Sequence, residues 1–200
     1  MKIIVRLVFL FSVFSVQAQP YKLRGVVEGI SSGITCLVSN EMGDEVMAGD
    51  QSGNMYRVGI DGRIEQRVRG HATAIRGFAF NSTGRLLLSY AAHDLKIWNA
   101  STLKAMHALD QQEYADIRFG VFSIADGFIY FNSGSRLYKT RSDLSQAVMR
   151  LYDFTESITG GVITPDRSVL IFSAGNKLPI QKNTRRPMVL CVETPQFSIA

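Results

Sequence analysis

Gly70-His71-Ala72-Thr73-Ala74-Ile75-Arg76-Gly77-Phe78-Ala79-Phe80-Asn81-Ser82-Thr83-Gly84-Arg85-Leu86-Leu87-Leu88-Ser89, with Leu95-Lys96-Ile97-Trp98-Asn99 just after it, is the stretch that decides how this chain folds. Short apolar runs alternate there with turn-forming residues. Ile75 to Phe80 is one run, Ser82-Thr83-Gly84 is a turn, and Leu86-Leu87-Leu88 opens the next run. Runs of about five residues bounded by Gly, Ser, Asn and Asp mark small antiparallel strands. A helix needs apolar residues sustained at i, i+3 and i+4, and no segment after residue 18 offers them.

The same texture occurs four times. Ile34-Thr35-Cys36-Leu37-Val38 stands 41 positions before Ile75-Arg76-Gly77-Phe78-Ala79, and Asn40, Gly43 and Tyr56 then fall on Asn81, Gly84 and Ile97. A third copy starts 42 positions after Ile75, at Ile117, and carries Val121-Phe122-Ser123, Asp126-Gly127 and Ile129-Tyr130-Phe131. A fourth starts 41 positions later, at Ile158, with Gly161-Val162-Ile163, Pro165-Asp166 and Val169-Leu170-Ile171-Phe172. Four strands in a unit of about 40–45 residues make a propeller blade. The expected fold is therefore all-β, a β-propeller of about four four-stranded blades over residues 30–69, 70–110, 111–152 and 153–200.

The second copy resembles a WD repeat. Gly70-His71 stands at that family's Gly-His position, and Leu95-Lys96-Ile97-Trp98-Asn99 resembles its closing segment, with Trp98 matching the tryptophan and Asn99 replacing the aspartate. The resemblance is specific over residues 70–109, fair over 30–69 and weak over 110–200. It implies a propeller that docks a protein or peptide partner, without catalytic residues or cofactor. In that family a histidine, a hydroxyl, the tryptophan and a turn aspartate form a buried network. Here the turn Ala91-Ala92-His93-Asp94 is about one residue short, with Ala92 near the aspartate's place. His71 and Trp98 are thus expected as structural residues packed without the full network. Ile30 stands where His71 does, and Arg57 or Lys139 where Trp98 does, so apolar packing is expected to hold the other blades.

Blades bury their faces against neighbours, so closure matters. Tyr21-Lys22-Leu23-Arg24-Gly25-Val26-Val27 aligns with the outermost strand Arg63 to Val68, and is expected as a clasp strand. Pro187-Met188-Val189-Leu190-Cys191-Val192 reads as the third strand of the last blade, with no fourth after it. A small ring closed by strand 21–27 is one outcome. An arc of a longer ring is the other, since seven blades of this period need roughly 290 residues.

The N-terminus reads as a secretory signal. Lys2 and Arg6 precede the apolar run Leu7 to Val16, and Val16-Gln17-Ala18 offers the small residues of a cleavage site. Spanning a bilayer takes roughly 20 apolar residues, and this run is shorter. A secreted or periplasmic chain without membrane attachment after cleavage is expected, and loss of Lys2 and Arg6 lowers the net charge from +5 to +3. Lys177, Lys182, Arg185 and Arg186 read as a solvated loop, and without interleaved aromatics they suggest no nucleic-acid partner. Cys36 and Cys191 are too few for a disulfide framework, though one bridge is possible in an oxidising compartment. The sequence leaves the oligomeric state open.

Little points to catalysis. Gly29-Ile30-Ser31-Ser32-Gly33 fits a hydrolase elbow, but that motif needs a strand before it and a helix after it, and here a strand follows. His71, His93 and His107 lack metal spacing, so no metal site is expected. An exported enzyme using the central funnel would need inward acids; the innermost strands carry Thr35, Arg76, Arg118 and Thr159, with Asp116 at one edge. A catalytic region in a larger protein is the remaining enzymatic reading. The favoured reading is a binding rim. Its candidates are Tyr114, His93, Glu113, Asp50 and Glu156, with Tyr114 as an aromatic anchor.

Overall fold

The computed structural model describes residues 26–110, 114–123, 125–164, 169–175, 177–182 and 188–193. The signal segment 1–18 and positions 21–25 of the clasp lie outside the described residues. Sixteen strands form four antiparallel sheets, and no helix occurs among the described residues. The first blade is β1 (Ile34–Ser39), β2 (Glu45–Asp50), β3 (Asn54–Gly59) and β4 (Ile64–Arg69). The second is β5 (Gly77–Phe80), β6 (Leu86–Tyr90), β7 (Asp94–Asn99) and β8 (Lys104–Asp110). The third is β9 (Gly120–Phe122), β10 (Phe128–Ser133), β11 (Arg136–Arg141) and β12 (Met149–Asp153). The fourth is β13 (Ile158–Ile163), β14 (Val169–Ala174), β15 (Lys177–Lys182) and β16 (Met188–Glu193). Each sheet is ordered as its strands follow in the chain.

Burial follows position within the blade. The middle strands β2 and β3 are covered on both faces at most positions, whereas outer strand β4 alternates between half-buried and exposed residues. A period of two on an outer strand reflects one face on the core and one in water. Among the described residues the core lies in three seams between successive blades and in a smaller cluster of Ala48, Tyr56 and Val58 on the first blade. Met47 and Met55 meet Ile75, Leu87 and Trp98 in the first. Leu88, Leu95 and Ile97 meet Ile117, Phe122, Ile129 and Phe131 in the second. Val121 and Tyr130 meet Ile158, Leu170 and Phe172 in the third.

The turn between the first two strands repeats a left-handed position. Gly43 has φ 71° and Gly84 has φ 67°, and in the third blade Asp126 takes the equivalent place at φ 53°. Aspartate tolerates that region better than most residues. Its carboxylate also accepts hydrogen bonds from Ser82 N, at 2.9 Å, and from Ser82 Oγ, tying the third blade to the second.

Several expectations are corrected here. The fourth blade holds all four strands, with Lys177–Lys182 as its third strand rather than part of a loop and Met188–Glu193 as its fourth. Pro179 disguised that strand. Its ring nitrogen has no hydrogen to donate, and the β14–β15 pairing skips it, running from Ile171↔Ile180 to Ala174↔Lys177. The blade therefore needs no borrowed strand, and Val26 and Val27 lie in no strand; Val27 packs with Ile30 and Ile64 on the first blade. Pairing also shifts the tryptophan position by one. Val58 opposes Val46, and Thr140 opposes Ile129, as Trp98 opposes Leu87, so Val58 and Thr140 take that place rather than Arg57 and Lys139. The displaced Arg57 is buried and donates to the Ala100 and Ser101 carbonyls of the second blade.

Candidate functional site

Sheet order alone brings one set of connections together. In an antiparallel four-stranded blade, the turn between the second and third strands lies at the same end as the crossing to the next blade. Residues 51–53 and 91–93 therefore share a rim with 70–76, 114–119 and 154–157. Three polar knots hold this rim.

The first knot is Asp50, which is fully buried. Its carboxylate accepts from Ser52 N, Asn54 N, Asn54 Nδ2 and Tyr56 Oη, all at 2.8 Å. Burial pushes its carboxyl up, but these donors outweigh that and leave it below the usual carboxylate value.

The second knot completes the network that was expected to be missing. Trp98 Nε1 donates to Ser89 Oγ at 2.7 Å, Ser89 Oγ lies 2.6 Å from His71 Nε2, and His71 Nδ1 lies 2.8 Å from Asp94 Oδ2. The indole is only a donor, so Ser89 accepts from it and its own hydrogen can serve His71. The aspartate comes from β7 itself, not from the turn. Asp94, Lys96 and Trp98 share one face of β7 by its period of two, and the short turn starts the strand where Ala92 would otherwise be read. Lys96 Nζ donates to Gly70 O at 2.7 Å, anchoring the crossing beside the histidine.

The third knot is Asn132, buried and missed in the sequence. Its Oδ1 accepts from Arg118 N and Phe119 N at 2.7 and 3.0 Å, and its Nδ2 donates to Asp116 O and, in the fourth blade, to Ile158 O. An isolated Asn between apolar runs carries no distinctive spacing, so no sequence signal singled it out.

On this frame the inner edge presents one equivalent residue per blade: Thr35, Arg76, Arg118 and Thr159, all exposed. Thr35 and Thr159 sit where the pairing of β1 and β13 slips, and Thr35 Oγ1 donates to Ile75 O of the next blade at 2.5 Å. The arginines converge on one carboxylate. Arg76 Nη1 lies 2.7 Å from Asp116 Oδ1, and Arg118 Nε lies 2.9 Å from Asp116 Oδ2. Asp116 is at φ 58°, which aims its carboxylate between them. Burial raises its carboxyl, but the two guanidinium groups outweigh that and hold it below the usual value. The cluster carries two positive charges against one negative, with guanidinium faces left in solvent.

The sequence candidates separate on this frame. His93 and Glu156 are exposed on the rim, with His93 Nδ1 3.3 Å from Tyr114 O. Glu113 lies outside the described residues. Asp50 and Tyr114 are corrected from surface to interior. Tyr114 is 5% exposed, with its ring edge-on to Phe131 and Tyr138. Burying so large a ring among aromatics is more favourable than leaving it in water. It backs a cavity of about 270 Å³ whose other walls are Arg136, Tyr138, Val148 and Arg150. His71 and Trp98 are buried members of the second knot.

Repeated four-stranded sheets, packed through their faces and carrying one His–Ser–Trp–Asp knot, define a β-propeller of the WD40 kind. No family model matches the sequence, and no curated protein matches it. Solved structures do. U3-55K superposes with a TM-score of 0.71 at 14% identity, over 82% of this chain and 53% of that one. The Swd1 (Cps50) β-propeller domain of Myceliophteria thermophila gives 0.71 at 16% identity, over 83% and 56%. A chain of the Mitotic Checkpoint Complex gives 0.69 at 16%, over 84% and 54%. The fold is a divergent WD40-like propeller, and this chain spans about half the length of each of these.

Proposed function

We propose that the protein is an exported, non-enzymatic docking module that holds an acidic protein or peptide segment along the inner rim. The observation that carries this reading is the Arg76–Asp116–Arg118 cluster, set between the exposed Thr35 and Thr159 on successive blades. Its arginines are oriented before any partner arrives, which lowers the ordering cost of binding. Guanidinium groups suit carboxylates because their planar donors meet both oxygens. Exposed His93 and Glu156 extend the rim outward. One similar chain is part of the Mitotic Checkpoint Complex, and membership of a protein assembly is the role extended to this chain. Export rests on the signal-like residues 1–18, so the secreted or periplasmic protein is expected to begin at Gln19 on N-terminal sequencing.

The test is fluorescence anisotropy with labelled Asp/Glu-rich peptides and Lys-rich peptides of equal length. The protein is expected to prefer the acidic set. The Arg76→Gln, Arg118→Gln double variant should bind that set at least about tenfold more weakly, with the far-ultraviolet circular dichroism of the parent at the assay temperature. Equal affinity for both sets, or an unaffected double variant, sinks the reading.

A further inference from the structure

The strand pairings let three blades be compared position by position. Tyr56, Lys96 and Tyr138 are equivalent, each two residues before the tryptophan position and opposite Ala48, Ser89 and Phe131. In the first two blades an internal carboxylate lies against this residue. Asp50 Oδ2 accepts from Tyr56 Oη at 2.8 Å, and Asp94 Oδ2 lies 3.4 Å from Lys96 Nζ. The third blade keeps neither acid. Ser133 stands at the position of Asp50, and Arg136 at that of Asp94. The short Ser133 side chain serves the crossing instead, with Oγ 2.9 Å from both Ala115 N and Ala115 O.

At this point of the third blade lies the cavity of about 270 Å³. Arg136 and Tyr138 share one face of β11, and Arg150 pairs with Tyr138 from β12, so two guanidinium groups and a phenol line one hollow. Tyr114 and Val148 complete it, with the Tyr114 ring edge-on to Tyr138 at 5.3 Å. Asp153 lies 3.4 Å from Arg136 Nε and 3.4 Å from Arg150 Nη1, so two positive charges meet one negative. Each guanidinium keeps further N–H groups for a second acceptor. The face belongs to the seam with the second blade, through Phe131 and Tyr138, so the cavity lies within the arc of blades and not at its end.

We propose that this cavity takes a carboxylate from a protein or peptide partner, at the position that Asp50 and Asp94 fill from within in the first two blades. Planar guanidinium donors and a phenol hydroxyl match the two oxygens of that group, and the equivalent phenol, Tyr56, already meets one. The hollow is smaller than the roughly 300–1,000 Å³ of pockets for drug-sized ligands, which suits one acidic side chain or a chain terminus. It stands apart from the Arg76–Asp116–Arg118 cluster and does not rest on the role given to that cluster.

The full chain labelled with fluorotyrosine provides the test, the fluorine signal of Tyr138 being assigned by its loss in Tyr138→Phe. Amidated peptides that differ only in carrying Glu, Gln or phosphoserine are titrated, together with the Gln peptide bearing a free C-terminus. The Glu peptide or the free C-terminus is expected to shift the Tyr138 signal, and comparing them tells a side chain from a chain end. The amidated Gln peptide should leave it in place. Arg136→Gln with Arg150→Gln, both more than half exposed, should keep the parent's far-ultraviolet circular dichroism and weaken binding at least about tenfold. Arg76→Gln with Arg118→Gln should leave the Tyr138 response unchanged, whatever the inner rim binds. No shift with either carboxylate, a response to phosphoserine alone, or undiminished binding by the Arg136 and Arg150 double variant would overturn the proposal. So would binding gained only with Glu113→Gln, because the acid just before Tyr114 would then hold the site.

Discussion

The Asp50→Ala protein is expected to unfold roughly 10–15 °C below its parent, a loss of about 4 kcal/mol. Asp50 sits beneath the turn at 51–53 with no solvent contact, and its carboxylate is the partner of the Asn54 amide, the Asn54 side chain and the Tyr56 hydroxyl. Alanine removes the acceptor and leaves those donors in place. A buried donor without a partner costs about 1–3 kcal/mol, and two of the three are too enclosed for water to replace the carboxylate. Asp50→Asn keeps the shape and one acceptor oxygen, so its loss should be about half as large. Thermal denaturation followed by circular dichroism measures both. Equal stability of the Ala variant and the parent would mean that the turn is held by its backbone alone.

Ser89→Ala comes next, with an expected loss of about 3 kcal/mol. Ser89 Oγ is the shared partner of Trp98 Nε1 and His71 Nε2, so one substitution strands two buried ring nitrogens. Trp98→Phe in the Ser89→Ala background removes one stranded donor, and the combined loss should fall short of the two single losses added together. Additivity would show that the serine and tryptophan do not act as a unit. The far end of the same network governs acid behaviour. Burial alone raises the Asp94 carboxyl, but His71 and then Lys96 outweigh it and depress the folded-state value. A depressed carboxyl stabilises the fold above its unfolded pKa of about 3.9, and that contribution fades as pH falls toward the folded value. Melting temperature should therefore drop on acidification below about pH 5, and Asp94→Asn should flatten the slope. Some slope should persist, because Asp50 and Asp116 are depressed too.

The architecture was legible because blades repeat. A period of 41 or 42 residues preserves the alternation of short runs and turns even where side chains diverge. Individual roles were harder to read, for reasons of register. Asp50 looked like a surface residue because Asp50-Gln51-Ser52-Gly53 is polar throughout, yet Asp50 ends a strand and its side chain points inward. Asp94 was passed over because counting along a turn assumes constant turn length, and shortening the turn moved the aspartate onto the strand. The same one-residue difference misplaced Arg57 against Trp98. The third strand of the fourth blade was hidden by Pro179 between two lysines, a composition that reads as loop until its neighbours pair around it. At the rim, the sequence marked Arg76, Arg118 and Asp116 as inner-edge residues, but not that both arginines grip one aspartate across the blade boundary.

Cys36 gives the seam between the first two blades a built-in gauge. Its thiol is free, rests against Gly49 and Ile75, and points toward the Ile75 carbonyl at 3.7 Å. Burial pushes it up to about 11, so little thiolate exists at neutral pH while the blades stay packed. Alkylation at this half-buried sulfur should therefore run slower than at an unhindered thiol. With Cys191→Ser as background, a rise in that rate reports loosening of this one seam.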